Sequence, residues 1–366
     1  MIKVSRFVLI ILLFSLSCSK KSDPAPASTL YFPPASGTWE SVTPASLGWN
    51  EAAIPDLVSY LNTTNTRAFI VLKDGKIAIE QYMGAQLTSS AAFTSSSVWY
   101  WASAGKTLTS AVVGIANANG KISLTAKSSD YLGRGWTSLT LDQENKITVL
   151  HQLTMTTGLD DYSGGATGDS DCTDPSCLVY KADPGTRWAY HNAAYTLLDG
   201  VVASGTGQTL NAYLSDQILS KIGMDGSYVK NGYNNVFYST PRSMARYGLL
   251  LLNKGEWSGT TIIPSSYINL MKATSQNLNL SYGYLTWLNG KSSFMAPGSQ
   301  NVYSQSLSPN APADMFAAMG KNGQLINVVP SKNLVVIRVG NAPDNALVPF
   351  TFQNDLWAKL NTVITN

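Results

Sequence analysis

The chain is poor in the residues that metal sites and charge-driven binding require. Its 366 residues include two histidines, His151 and His191, and three cysteines. That is a thin supply for a His/Cys metal site, so neither a metal nor a cofactor is expected. Only 13% of the residues are charged and the formal net charge is +3. Lys3 and Arg6 fall in a segment read below as removed, which leaves the remainder near neutral. There is no basic run beyond Lys20-Lys21 and no basic stripe, so nucleic acid has no electrostatic footprint. No apolar stretch after residue 18 suits a membrane span, and no internal repeat is visible. What is present is a chain 44% apolar, ample for a packed core in one large domain or two small ones.

The compartment signal lies at the start. MIKVSR is a short basic stretch and FVLIILLFSLS an apolar core ending at Cys18. Together they resemble a bacterial lipoprotein signal, in which Cys18 becomes the lipidated first residue. The departure is Ser15, where such signals usually carry leucine; the alternative is an ordinary secretory signal. Either way the protein is expected to be exported, with a membrane partner through the lipid. Residues 19–46, rich in Ser, Pro and Ala without periodicity, read as a tether, and residues 47–366 as the working domain. Cys172 and Cys177, in DCTDPSC, then sit where a local disulfide can form; a zinc pair is the weaker alternative.

Along the domain, Ile54, Leu57, Val58 and Leu61 recur on one helix face. AFIVLKDGKIAIEQY reads as a hairpin turning at Asp74-Gly75. KTLTSAVVGIANANGKI reads as a buried helix ending at Asn119-Gly120, and ITVLHQLTMTTGLDD as helical until Gly158. A Gly/Asp/Ser loop follows from about 160 to 180, then further helices through NKG. SYGYLTWLNG reads as a strand, and MFAAMGKNGQLINVVPSKNLVVIRVG as strand, turn, strand about Pro330-Ser331. FTFQNDLWAKLNTVI closes as an amphipathic helix. Strands at both ends with helices between predict an α+β fold: one antiparallel sheet built by the two terminal parts, with a mainly helical insertion.

The chemistry-bearing residues are ordered. Ser103-Ala-Gly-Lys106 puts a hydroxyl and an amine one helical turn apart, on one face. Tyr190-His191-Asn192 follows, then Lys321-Asn322-Gly323 at the start of a strand. Each pattern recurs elsewhere by chance; their order, each on its own element, is what counts. With PGTRWAYHNAAY and GKNGQLINVVPSKNLVVIRVG around them, they resemble the serine β-lactamase and penicillin-binding-protein superfamily, nearest the class C β-lactamase, esterase and 6-aminohexanoate-dimer hydrolase branch.

The resemblance implies a β-lactamase-like fold and an acyl-enzyme on Ser103, with Lys106 or Tyr190 as general base. It implies that the backbone N–H groups of Ser103 and Gln324 form the oxyanion hole. Gly323 would allow close approach of the strand, and Asn192 would position the substrate amide or Lys106. The amine of Lys106 is expected to lose basicity through burial and the nearby charge of Lys321. The implied substrate is a small ester or amide; β-lactams or muropeptides are the alternative, and a non-catalytic binding or sensor module on the same fold is the other class. No class A signature E-x-x-L-N is evident, and no G-x-S-x-G frames Ser103. Asp160, Asp161, Asp169, Asp171 and Asp174 form an acidic loop, read either as a solvated surface or as a rim that favours substrates with a free amine. His191 reads as pocket wall or packing, and His151 as structural.

Overall fold

The computed structural model describes residues 30–365 apart from 163, 166, 345 and 347. Cys18 and the expected signal lie outside the described residues.

Nine strands and six helices carry the architecture. The strands are β1 (Thr66–Lys73), β2 (Lys76–Tyr82), β3 (Trp99–Tyr100), β4 (Ser227–Asn231), β5 (Asn234–Ser239), β6 (Trp287–Leu288), β7 (Phe316–Gly320), β8 (Gln324–Val329) and β9 (Leu334–Gly340). The helices are α1 (Ile54–Thr63), α2 (Gly105–Ala118), α3 (Asn192–Thr196), α4 (Leu198–Thr206), α5 (Pro241–Leu252) and α6 (Phe350–Val363). The main sheet runs β2-β1-β9-β8-β7-β6, antiparallel throughout. The N-terminal hairpin joins the C-terminal strands through β1 and β9, with Ile70 opposite Ile337 and Val71 opposite Val336. This is the α+β layout expected from strands at the two ends of the chain, and the β-lactamase-like fold that the resemblance implies.

Central strands β8 and β9 are buried along their whole length, so they read as apolar runs instead of alternating ones. Helix α5 packs on them, and Gly248 is what permits the approach. A Cβ there would meet Val335 Cγ1 at 2.5 Å. The inserted part, between β2 and β6, is mainly helical and also carries a small sheet, β3-β5-β4. Helix α2 is buried from Gly105 to Ala116. Its Gly, Ala, Ser, Thr and Val side chains let neighbours close on every face, which is how a helix without a polar face is stabilised. Among the described residues, no helix is long and apolar enough to cross a membrane.

Residues 30–46, expected to belong to the tether, instead pack on the folded domain. Tyr31 N–H donates to Asp74 O and Val42 N–H to Ile77 O, each at 2.9 Å. Trp39 is buried and its indole donates to Gly75 O at 2.8 Å. Periodicity misses this segment because it packs as an irregular strap, anchored by single aromatics. Three other expectations shift. The helix before Gly158 ends at Leu153; Thr154 Oγ1 bonds back to Leu150 O and Met155 takes a φ of 58°, the local competition that ends helices at threonines. Within SYGYLTWLNG only Trp287–Leu288 is strand. Lys321 to Gly323 form a turn between β7 and β8, not the start of a strand, so the C-terminal run holds three strands and two turns.

Candidate active site

The site is built around a bend in the chain at Ala102. Strand β3 pairs with β5, and Trp101 is held by two bonds: its N–H to Phe237 O and its indole N–H to Ser239 Oγ, each 2.8 Å. The backbone then reverses through Ala102, whose φ of 47° is a left-handed conformation uncommon outside glycine. One tight turn, Ala102–Ala104, carries Ser103 straight into α2. Lys106, one turn on, places Nζ 3.1 Å from Ser103 Oγ.

Lys106 is only 5% exposed. Burial lowers its pKa to about 7, and the carboxylate of Asp171 pulls it back up. Burial, not the charge of Lys321, is the cause. Tyr190 enters from the segment preceding α3. Its ring stacks on Trp287 at 6.0 Å and meets Tyr282 edge-on at 6.2 Å. Burial raises the Tyr190 pKa, opposed by its hydrogen bond with Ser103. The phenol therefore keeps its proton at neutral pH, while Lys106 is the group poised to lose one.

These three side chains lie in a cavity of about 580 Å³ with a mixed lining. Val236, Pro297, Met319 and Val348 are its apolar members, and Asp171, Asn192, Asn231, Asn234 and Asn235 its polar ones. Asp171 accepts from Asn192 Nδ2 at 2.8 Å and from Asn234 Nδ2 at 2.6 Å. Its loop is closed by the Cys172–Cys177 disulfide, with the Cα atoms 5.9 Å apart, and Tyr233 Oη donates to Asp174. Asp161 also lines the cavity but is paired with Arg187 at 2.6 Å. Asp169 and Asp174 are exposed and Asp160 faces Lys181. The acidic loop therefore contributes mainly one carboxylate to the cavity.

The other expected residues divide. Asn192 does not bond Lys106; Asp171 orients its amide, and its Oδ1 is buried without a partner. His191 stands at the N-cap position of α3 without a side-chain capping bond, is buried, and has its pKa lowered to about 4 by that burial; it does not line the cavity. His151 completes a capping box with Thr148. Among the described residues, no group of three or more His, Cys, Asp or Glu side chains is arranged to hold a metal ion.

The third motif is displaced by three residues along the chain. Asn289 N–H bonds Met315 O, so the backbone groups of Met315, Ala317 and Met319 point to the β6 edge, which β6 covers only at Phe316 and Ala317. Gly320 continues extended, and this alternation turns the N–H of Lys321 to the same open edge. Gly320 lies against the nucleophile turn, since a Cβ there would meet Trp101 O at 2.4 Å. Gln324, by contrast, pairs with Gly320 and bonds Gly340 through its side chain. Gly323 sits against Arg338 and Phe352. Neither lines the cavity, whereas Met319 and Lys321 do. Gly320 thus lies against the nucleophile turn and Lys321 at the cavity, where Gly323 and Gln324 were expected. The run M-G-K-N-G offers two glycines three apart, and only the packing at Gly320 tells them apart. Tyr195 also lines the cavity, with Lys106 Nζ 4.3 Å from its ring centroid; no motif marks it, and its sequence signal is the i, i+3 spacing from Asn192 on α3.

A buried helix that presents a serine–lysine pair at the open edge of an antiparallel sheet defines a β-lactamase-type hydrolase domain. The Beta-lactamase family model matches residues 57–354, and the chain belongs to that family. A β-lactamase of Pseudomonas fluorescens is 27% identical over 164 residues, covering 43% of this chain and 44% of that protein. The chain therefore matches under half the length of that relative. The fold is similar to that of a provisionally named 6-aminohexanoate-dimer hydrolase from Bacillus anthracis, at TM-score 0.66 and 19% identity over 91% of this chain and 89% of that one. It is also similar to that of a penicillin-binding protein from Bacillus halodurans, at TM-score 0.61 and 17% identity over 83% and 99% of the two chains.

Proposed function

We propose that this chain is a serine hydrolase of the esterase or amidase type that forms an acyl-enzyme on Ser103. The observation that carries this reading is the 3.1 Å approach of Lys106 Nζ to Ser103 Oγ at a cavity wall. A serine hydroxyl needs a base to attack at neutral pH, and an amine with a pKa near 7 is suited to that task. In the proposed step, Ser103 Oγ bonds to the substrate carbonyl carbon as its proton passes to Lys106. The oxyanion is met by the N–H groups of Ser103 and Lys321. The proton then reaches the leaving group, with Tyr190 as relay, and water releases the acyl group.

Intact-mass spectrometry tests this with a fluorophosphonate, a p-nitrophenyl ester and a penicillin. A single adduct is expected, absent in Ser103→Ala. A persisting penicillin adduct would move the substrate to β-lactams. No adduct from any probe on folded protein would sink the hydrolase reading in favour of a binding module. The same spectrum, taken on protein extracted from its native membrane, tests export and lipidation: an unmodified Cys18 in the mature chain would end that proposal.

The polar lining of the cavity supports a substrate with a free amine, such as an amino-acyl oligomer. Asp171 is held by two asparagine amides, and the buried Asn192 Oδ1 is an acceptor beside it. A charge-assisted bond there is worth about 10–100-fold in kcat/KM. Matched amides with and without a terminal amine should differ by that factor, and Asp171→Asn should abolish the difference. Equal efficiency in the parent protein would rule the amine out.

A further inference from the structure

We propose that Tyr195 is a positioning residue for the serine–lysine pair, its ring being the surface on which the Lys106 ammonium forms when Ser103 gives up its proton. The inference rests on the reading of Ser103 and Lys106 as nucleophile and base.

In that step an O–H bond breaks at Ser103, an N–H bond forms at Lys106, and Nζ gains a full positive charge. The Asp171 carboxylate favours that charge through space without bonding the amine, so the charge also needs a partner in contact. Asn192, the side chain expected beside the amine, is turned to Asp171. What lies under Nζ is aromatic: the Tyr195 ring centroid at 4.3 Å and the Tyr190 centroid at 5.1 Å. The face of a phenol ring is electronegative and attracts a cation held over it, most strongly where water is excluded. Tyr195 is 4% exposed. The attraction is weak for a neutral amine and grows as the proton arrives. It therefore favours the transition state over the resting pair, as a catalytic interaction must.

The ring is also fixed in place. Tyr195 Oη lies 3.1 Å from Thr109 Oγ1, Thr109 Oγ1 lies 2.8 Å from Tyr228 Oη, and Tyr228 Oη donates to Gly105 O at 2.7 Å. Gly105 immediately precedes Lys106 and Thr109 lies one turn on. The hydroxyl chain thus ties the α3 ring to the turn of α2 that presents the amine. Two roles follow: the hydroxyl holds the ring, and the ring face holds the charge.

The test is the pH dependence of acylation by a p-nitrophenyl ester in Tyr195→Phe, Tyr195→Leu and Tyr195→Met. Tyr195→Phe keeps the ring, and its rate should stay within about threefold of the parent with the acid limb unmoved. The two aliphatic variants should acylate about tenfold more slowly, with the acid limb moved down by about one pH unit because the protonated amine has lost its partner. Should neither aliphatic variant fold, fluorinated phenylalanines at 195 keep the shape and weaken the ring face. The rate should then fall with each added fluorine. Equal losses in the Phe and aliphatic variants with no movement of the limb would mean a packing role only, and overturn the proposal, as would rates indifferent to fluorination. A parent protein that never labels at Ser103 would instead remove the hydrolase reading beneath it.

Discussion

Lys106→Met is expected to slow acylation by at least about 10³-fold and at the same time to make the fold more stable. The activity loss follows from removing the only amine within reach of Ser103 Oγ among the described contacts. The stability gain follows from burial. Lys106 has a folded pKa of about 7, against 10.5 for the free side chain. Between those values the unfolded chain binds more protons than the folded one, so stability rises with pH across that window. Below pH 7 the ammonium stays buried and the penalty is present in full; above about 10.5 it is gone. Methionine has similar reach without charge. Its advantage is greatest near pH 6 and fades as pH rises. The lost bond to Ser103 and the lost ring contacts offset part of it, leaving on the order of 2 kcal/mol, a few degrees in Tm. Melting curves for both proteins from about pH 6 to 10 read the sign directly. A variant less stable than the parent at pH 6, by an amount that does not change with pH, would mean that the amine is comfortable where it is. The parent's kcat/KM should rise through an acid limb near pH 7, to which burial lowers the pKa of the Lys106 amine.

The serine–lysine pair was legible in the sequence because both residues sit within one helical turn, where spacing alone decides proximity. The sheet was legible for a similar reason: β8 and β9 are long apolar runs joined by a proline turn. Long-range packing hid the remainder. Whether Gly320 or Gly323 faces the nucleophile depends on the parity of β7 against β6, set by Asn289 and Met315. Which of five loop aspartates enters the cavity depends on amides from Asn192 and Asn234, far apart in the chain and brought together by α3 and β5. The strap at residues 30–46 folds because Trp39 finds Gly75, a contact that leaves no periodic trace. In each case the deciding partner lies on another element, beyond the reach of local pattern.

Arg338→Met is expected to cost about 3–5 kcal/mol of stability, the largest loss of any single substitution considered. Arg338 is fully buried on β9, over the ring of Phe352 at 4.9 Å. It serves carbonyl oxygens and a hydroxyl, without a carboxylate. The guanidinium donates to Asn322 O and Thr64 O at 2.6 Å, to Asn341 O at 2.9 Å, to Thr66 Oγ1 at 3.1 Å and to Gly323 O at 3.2 Å. Burial lowers its pKa to about 9, which leaves it charged at neutral pH. Methionine would leave those acceptors without their donor, and each buried orphan costs about 1–3 kcal/mol before water or relaxation relieves it. Lysine would not rescue the fork, because one ammonium lacks the planar spread of five donors. The denaturation midpoint should therefore fall for both variants, further for methionine. The effect should also reach the cavity, since Arg338 ties the 321–323 turn to the ends of β1 and β9. With that tie gone the 321–323 turn, whose Lys321 lines the same cavity as Ser103, loses its fixed place, and acylation should slow at temperatures where the variant remains folded. A methionine variant within about 1 kcal/mol of the parent, or one destabilised but with undiminished acylation, would show that the turn is held by its hairpin alone. The predicted outcome makes a residue that touches no substrate responsible for where the proposed oxyanion donor points.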